Sequence, residues 1–267
     1  MLKDITLGQY FPGDSFVHRL DPRTKLIMVI LYIIALFLAN GFVGYGVMIA
    51  VTAGFIALSK VPPKSMFRGL KSVVLIIVLT AVLNVFYTDG TVLVQIWKLK
   101  ITYEGIIKAV FMVLRIVMLI CGTFLLTYTT TPVALTDGME LLLNPLKKLK
   151  VPVHEMSMMM SMALRFIPTL IEETDKIMSA QKARGADFET GSLMDRARAL
   201  LPILVPLFVS AFRRADELAI AMESRCYNGG AGRTRMKQLK YKGGDYMALA
   251  FGVLLIMLMI GLQVIGL

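Results

Sequence analysis

The sequence has few of the residues that catalytic and metal sites use. Its 267 residues include two cysteines, two histidines and one tryptophan, and only 18% are charged. His154-Glu155 begins like a zinc-protease helix motif, but Met158 stands where the second metal-binding histidine would be. A glycine-rich phosphate loop of the P-loop type is also missing. The sequence therefore predicts no metal site and no P-loop ATPase activity, and it marks no catalytic residue, although Ser-His-Asp catalysis stays open at this point.

The small number of charged residues accompanies a large excess of apolar ones. The hydrophobic fraction is 57% and the mean hydropathy is +0.70, whereas a soluble domain has about 45–50% apolar residues. Cys121 lies in an apolar run and Cys226 in a polar one, which argues against a disulfide between them. These values exclude disorder, fibrous structure and a disulfide scaffold. They predict an all-α polytopic membrane protein.

Long uncharged runs predict five membrane spans. The run from Leu26 to Ser59 would make a helix of about 51 Å, too long for a hydrocarbon core of about 30 Å. Asn40-Gly41 is the natural turn within it. Spans at about 26–40, 42–59, 71–87 and 106–128 give an N-terminal membrane part, 1–130, and 245–267 gives a C-terminal transmembrane helix.

The net charge of +11 is explained by the membrane topology. With the N-terminus inside, 25 of the 29 Lys and Arg residues fall on the cytoplasmic side, while Lys98 and Lys100 lie in an external loop. This is the bias expected of a membrane protein, so a nucleic-acid partner is not needed. The sequence predicts that the N-terminus is inside and the C-terminus outside.

A cytoplasmic segment, 131–244, separates the fourth span from the last. Its helical patterns predict a short helix over about 133–143 and two long helices over about 153–184 and 193–227. Both long helices contain proline in their first half and end at or just after an arginine, Arg184 or Arg225. A structural pseudo-repeat and a chance likeness between two amphipathic helices both remain open.

Each arginine allows two interpretations. A cation at a helix C-terminus interacts favourably with the helix dipole, which contributes about 0.3–1 kcal/mol. A guanidinium held at a helix tip can also enter an acidic or carbonyl-rich groove of another protein. Arg115, within the fourth span, is interpreted as a packing or snorkelling residue, with a substrate site as the alternative.

Two sets of residues on the long helices are candidates for a partner surface. Methionine side chains repack easily and suit a surface that moves against its partner. Small residues one helical turn apart allow another helix to approach closely. Internal packing is the other interpretation of both sets. The candidates are Met156, Met159, Met160, Ser161, Ala211 and Ala215.

Ala183-Arg184-Gly185 resembles the Ala-Arg-Gly signature of the transmembrane (T) component of energy-coupling factor transporters. The second signature of that family falls at Ser224-Arg225-Cys226, where only the arginine is kept. The stretch 20–25, Leu-Asp-Pro-Arg-Thr-Lys, is similar to the family's entry into its first span. The resemblance extends over essentially the whole chain.

The resemblance implies a scaffold subunit of an ABC-type importer in the bacterial plasma membrane. Such subunits join two ABC ATPases, the A components, to a membrane-embedded substrate-binding S component that takes up a vitamin or other micronutrient. ATP and Mg would be bound by the ATPases. Residues 183–185 and 224–226 would dock into the two ATPases, and the methionine and alanine candidates would contact the S component.

Two other functions are kept open. A conventional channel-forming permease subunit of an ABC importer would need polar residues lining its spans, and those are scarce. A membrane-embedded enzyme acting on lipids would need clustered His, Asp or Glu at the membrane face, which the sequence does not show. Co-purification with ATPase subunits would separate the scaffold from both.

Overall fold

The structure, a computed structural model, describes residues 10–96, 99–188, 190, 192–229 and 238–265. Five of the basic residues counted in the charge argument lie outside the described residues: Lys3, Lys98, Arg233, Arg235 and Lys237. Helices dominate it, as predicted. In the described residues they are α1 Phe16–Arg19, α2 Pro22–Leu38, α3 Gly41–Ser59, α4 Pro63–Lys71, α5 Val74–Tyr87, α6 Tyr103–Thr129, α7 Pro132–Leu143, α8 Val153–Ala183, α9 Leu193–Glu223 and α10 Gly243–Ile265. An unpredicted antiparallel hairpin, β1 Val92–Ile96 and β2 Leu99–Thr102, precedes α6.

The described chain divides into two compact units. One, the bundle unit, lies within Gly8–Gly138 and Leu239–Leu267, and the other, the two-helix unit, lies within Met139–Gln238. The two-helix unit contains α8 and α9, which correspond to the two long helices that the sequence predicted over 153–184 and 193–227.

Local signals set the ends of the first two long helices. The Asp21 carboxylate caps α2 by accepting a hydrogen bond from the backbone N–H of Arg23 at 2.9 Å, and Pro22 occupies the first turn. The turn between α2 and α3 falls at Asn40-Gly41, where Gly41 has a φ of 65°. That conformation strains residues with a Cβ atom, so glycine suits it.

Within the part of the chain that the structure describes, three helices are long and apolar enough to cross a membrane: α3, α6 and α10. A fourth crossing is possible if α4 and α5, which bend by 64° at their junction, act as one broken span. The prediction of a single span over 71–87 is thus wrong at its start, because α4 ends at Lys71 and α5 begins at Val74. Helix α2, which corresponds to the first predicted span, has 17 residues. Its length of about 26 Å is shorter than a hydrocarbon core of about 30 Å.

The core of the bundle unit forms where α2, α3, α6 and α10 meet. The Tyr32 hydroxyl donates to the Met118 carbonyl at 3.1 Å and lies 2.7 Å from the Thr52 hydroxyl. The chain approaches closely here because Gly122 of α6 has no side chain, and a Cβ at this position would lie 2.6 Å from the Tyr32 ring. The Tyr32 hydroxyl is thus paired within the unit, whereas Thr24 Oγ1 of α2 and Arg115 Nε of α6 are buried without a hydrogen-bond partner in the described part of the chain.

A buried carboxylate joins the beginnings of α2 and α10. Asp245, only 1% exposed, accepts hydrogen bonds from the backbone N–H of Asp21 at 2.8 Å and of Lys242 at 2.7 Å. Arg23 forms a salt bridge of 3.0 Å to Asp21 and lies over the Tyr241 ring. Burial raises the pKa of the Asp21 carboxyl, but the hydrogen bonds and charge of Arg23 outweigh it and leave that pKa below its ordinary value.

Arg115 packs against the end of α2. Its Nη2 donates to the Ala39 carbonyl at 3.3 Å, and its guanidinium lies 5.5 Å from the Phe37 ring centroid and 5.7 Å from that of Tyr45. A cation at a helix C-terminus satisfies an orphan carbonyl and complements the helix dipole. These contacts agree with the packing interpretation of Arg115.

Candidate coupling site on the two long helices

The first arginine tip is closed by a Schellman motif. Helix α8 ends at Ala183, and Gly185 follows with a φ of 85°. The N–H of Gly185 donates to the Lys182 carbonyl at 3.0 Å, and the N–H of Ala186 donates to Gln181 at 3.0 Å. The left-handed turn ends the helix sharply, and Ala183, Arg184 and Gly185 are all exposed at its tip.

The second arginine tip is closed in the same way. Helix α9 ends at Glu223, and Cys226 takes the left-handed position with a φ of 54°. The N–H of Cys226 donates to the Glu223 carbonyl at 2.9 Å, and the N–H of Tyr227 donates to Met222 at 3.0 Å. Ser224, Arg225 and Cys226 are exposed, and the thiol of Cys226 is free.

The match between the tips supports the pseudo-repeat interpretation. In each, the residue after the arginine is left-handed, and the same two backbone hydrogen bonds close the helix. Departure of the second motif from Ala-Arg-Gly therefore does not change the backbone turn. The departure does place the Cys226 side chain on a residue with a left-handed backbone, a conformation that costs an L-residue roughly 1–2 kcal/mol. Cys226 is therefore more strained than Gly185.

The two tips lie at opposite ends of an antiparallel helix pair. The Gln181 side-chain amide, near the end of α8, donates to the carbonyl of Pro202 in the first half of α9 at 3.4 Å. The other ends meet where Met158 and Met222 line one groove. The segment of α9 from Pro202 to Arg225 is about 35 Å long, and this length separates the two guanidinium-bearing tips.

An ion pair links the middle of the two helices. Arg214 Nη2 of α9 donates to Glu173 Oε2 of α8, and both side chains are partly buried. Such a pair is held by charge and geometry together, since a guanidinium and a carboxylate form strong charge-assisted hydrogen bonds. With the Gln181 contact, it fixes the register of α8 against α9.

A groove of about 380 Å³ lies between α8 and α9 beyond this ion pair. Three of the six predicted partner residues line it: Met159, Ala211 and Ala215. Met156 and Met160 lie outside the groove and are about half exposed, and Ser161 is partly buried. The small side chains of α9 thus face the methionines of α8, with space between them.

Sequence analysis missed a second apolar surface, on α9. Phe208 is 61% exposed and Phe212 is 70% exposed. At about 100° per residue, these two fall within roughly 60° of helix circumference together with Leu201 and Val205. We call these four residues the α9 apolar face. The steps of four, three and four residues in this set were the available signal, because they mark one helix face.

His154, of the His154-Glu155 pair, contacts a glutamate of the preceding α-helix. His154 Nδ1 lies 3.0 Å from Glu140 Oε1, so the imidazole connects the end of α7 to the beginning of α8. Within the described residues there is no group of three or more His, Cys, Asp or Glu side chains that could hold a metal ion.

Comparison with known proteins shows the family of this chain. A sequence model of the CbiQ family, described as cobalt transport protein, matches residues 13–237. The energy-coupling factor transporter transmembrane protein EcfT of Thermosediminibacter oceani is 56% identical over 254 residues, covering 95% of this chain and 96% of the relative. The protein of the same name from Clostridium kluyveri is 57% identical, covering 93% of each chain.

A third relative, from another organism, carries the same protein name. The EcfT protein of Bacillus subtilis is 52% identical over 246 residues, covering 92% of this chain and 93% of the relative. The likeness thus runs through the bundle helices as well as through both arginine tips. The chain belongs to the family of transmembrane components of energy-coupling factor transporters.

Proposed function

We propose that this chain is the scaffold that transmits ATP-driven motion from two ABC ATPase subunits to a substrate-binding S component. The observation that carries the proposal is the pair of exposed arginine tips at opposite ends of the antiparallel helices α8 and α9. One long helix pair with a cation at each end suits two separate docking grooves, one on each ATPase. Arg184 would occupy one groove and Arg225 the other.

The contacts between α8 and α9 support a lever mechanism. When the two ATPases approach or separate on ATP binding and hydrolysis, they would move the tips relative to each other. The Glu173–Arg214 ion pair and the Gln181 contact lie between the tips, so motion at one end would change the groove at the other. The chain itself would be non-catalytic, would bind no cofactor, and would leave ATP and Mg to the ATPases.

The S component would contact the surfaces that these helices leave bare. The α9 apolar face exposes two aromatic rings, and aromatic residues are enriched at the energetic centres of interfaces. The groove methionines could repack as that partner tilts. We infer that the cargo, a vitamin or other micronutrient, is bound by the S component rather than by this chain.

Charge reversal at both tips tests the docking role. In the complete transporter, Arg184→Glu with Arg225→Glu should abolish substrate uptake and ATPase association while membrane insertion and S-component binding persist. Breaking a charge-assisted contact on one side costs about 2–5 kcal/mol of binding. Arg213→Glu, on the exposed body of α9, is the matched control and should leave both unchanged.

Two outcomes of this experiment would change the mechanism. Normal uptake and normal ATPase association in the double variant would refute the docking role. Retained association with lost uptake would mean that the arginines transmit motion and do not anchor the ATPases.

The partner surface is tested by a bulky substitution in the groove. If Ala211 contacts the S component, Ala211→Trp should release that subunit in pull-downs while the melting temperature of the isolated chain stays nearly unchanged. If Ala211 only packs α9 against α8, overpacking should lower stability by roughly 1–3 kcal/mol with the S component still bound. Phe208→Ser tests the α9 apolar face in the same assay.

We also propose that the N-terminus lies inside the cell and the C-terminus outside, following the lysine and arginine bias. In a background lacking Cys121 and Cys226, a membrane-impermeant thiol reagent should label a cysteine at position 95 in intact cells. Cysteines at 64 and 190 should label only after permeabilisation. Labelling of position 190 from outside would refute a cytoplasmic location for the two-helix unit.

A further inference from the structure

The bundle unit contains a large apolar crevice that the coupling function does not use. Its volume is about 630 Å³, and residues of α1, α2, α3, α6 and α10 line it. This volume is within the range of about 300–1,000 Å³ typical of ligand-binding pockets. Tyr32, Thr52, Leu125, Ala248 and Leu255 are buried lining residues.

The polar groups on the crevice wall are already engaged by the protein. The Tyr32 hydroxyl donates to the Met118 carbonyl, Thr52 donates to the Met48 carbonyl, and Thr129 donates to the Leu125 carbonyl. The Lys25 ammonium donates to the carbonyl of Thr129 at 2.8 Å and to that of His18 at 3.2 Å. An ordered water needs two to four polar partners, and this wall does not offer them. The crevice therefore suits an apolar occupant.

The rim of the crevice indicates where the occupant comes from. Phe16, Leu58, Met247 and Phe251 line the crevice and are about half exposed. Leu58 belongs to α3, and Met247 and Phe251 belong to α10, two helices that are long and apolar enough to cross a membrane. The apolar molecules around such helices are lipid acyl chains. Lys60 follows the rim residue Leu58 by two positions and is exposed at the end of α3, so this end of the helix carries a cation that an anionic headgroup could approach.

We propose that this crevice binds one acyl chain of an anionic membrane phospholipid as a specific lipid site of the bundle unit. The chain would fill the space between α2, α3, α6 and α10, and the phosphate would lie at the rim beside Lys60. The bound lipid would supply the dispersion contacts that an unfilled space denies to the side chains around it. This lipid site shares no residue with the two arginine tips.

Two glycines of α3 provide a matched pair of variants. Gly54 lines the crevice, and a Cβ added there meets nothing within 4 Å. Gly46, on the same helix, is not a lining residue and has the same open space around it. Gly54→Leu adds an isobutyl group at a lining position where the Cβ itself has open space, and Gly46→Leu adds the same group at a position that does not line the crevice. Ala50→Leu, at another lining position, is the second filling variant.

The experiment measures lipid binding to the full chain purified in mild detergent. Native mass spectrometry with added palmitoyl-oleoyl phosphatidylglycerol should show one tightly held lipid on the wild type and on Gly46→Leu. Gly54→Leu and Ala50→Leu should lower that occupancy at least tenfold. They should also lose the rise in melting temperature that the lipid produces, and phosphatidylcholine should bind more weakly than phosphatidylglycerol.

Three results would overturn the site. Equal lipid occupancy in Gly54→Leu and Gly46→Leu would place the bound lipid elsewhere. Retention of free fatty acid alone by the wild type would identify a different ligand. Loss of the S component from Gly54→Leu with unchanged lipid occupancy would assign the crevice to a protein partner.

Discussion

The bundle unit and the two-helix unit use apolar residues differently. In the bundle unit Leu36, Met48 and Met259 are almost completely buried, and buried hydrogen bonds join α2 to α6 and to α10. Among the described residues of the two-helix unit, Val153 and Ile203 are the buried hydrophobic ones, while Phe208 and Phe212 are exposed. The bundle unit is thus stabilised by a buried core of its own, whereas the two-helix unit leaves most of its apolar side chains exposed, which is the basis for the proposed partner surface.

The largest expected stability effect belongs to the buried carboxylate of the bundle unit. Asp245→Ala removes two hydrogen bonds to a charged acceptor and leaves the Asp21 N–H without its partner. At about 1.5–3 kcal/mol for each such hydrogen bond, the substitution should cost roughly 3–6 kcal/mol. The loss would appear as a lower melting temperature of the purified chain. Asp245→Asn keeps one carbonyl acceptor and should therefore lower the melting temperature less. Equal melting temperatures for Asp245→Ala and the wild type would contradict the conclusion that contacts within the bundle unit stabilise it.

A smaller effect is expected where α2 and α6 approach each other. Gly122→Ala brings a methyl group against the Tyr32 ring, and overpacking of this kind costs about 1–3 kcal/mol. Gly261→Ala on α10, where a Cβ meets nothing within 4 Å, is the control. That change should stabilise the helix by up to about 1 kcal/mol, so opposite shifts in melting temperature are expected for the two variants.

The arginine tips should respond to substitution in opposite directions. Gly185→Ala introduces a Cβ at a left-handed position and should destabilise the tip of α8 by about 1 kcal/mol. Cys226→Gly removes the corresponding strain and should stabilise the tip of α9 by a similar amount. Hydrogen exchange of the last turn of each helix measures both effects. Faster exchange in Cys226→Gly would show that its side chain has a stabilising role.

The smallest effect is expected on the α9 apolar face. Phe208→Ala in the isolated chain should change the free energy of unfolding by no more than about 0.5 kcal/mol, because an exposed ring makes few internal contacts. The same variant should weaken S-component binding in the complex. A loss of stability as large as that of Asp245→Ala would mean that Phe208 is part of an internal core, and it would contradict the difference in apolar burial between the two units.

Some of these features follow from short stretches of sequence. The Asp21-Pro22 start of α2 and the Asn40-Gly41 turn depend on neighbouring residues, so the sequence predicted them. The bend between α4 and α5 was missed because the apolar run from Ser72 gives no sign of a break at Val73. The α9 apolar face was also missed, since exposure depends on which side of the helix α8 covers.

The sequence by itself determined the membrane class, the long helices of the two-helix unit and the arginine at the end of each. Hydropathy, helical periodicity and capping act over a few residues, and these properties can be read from the chain directly. Only the tertiary structure decided that Asp21 meets Asp245, that the two tips lie at opposite ends of one helix pair, and that Cys226 adopts the turn of Gly185. These outcomes depend on packing between segments far apart in sequence, where many pairings satisfy the same local preferences and close contact selects one.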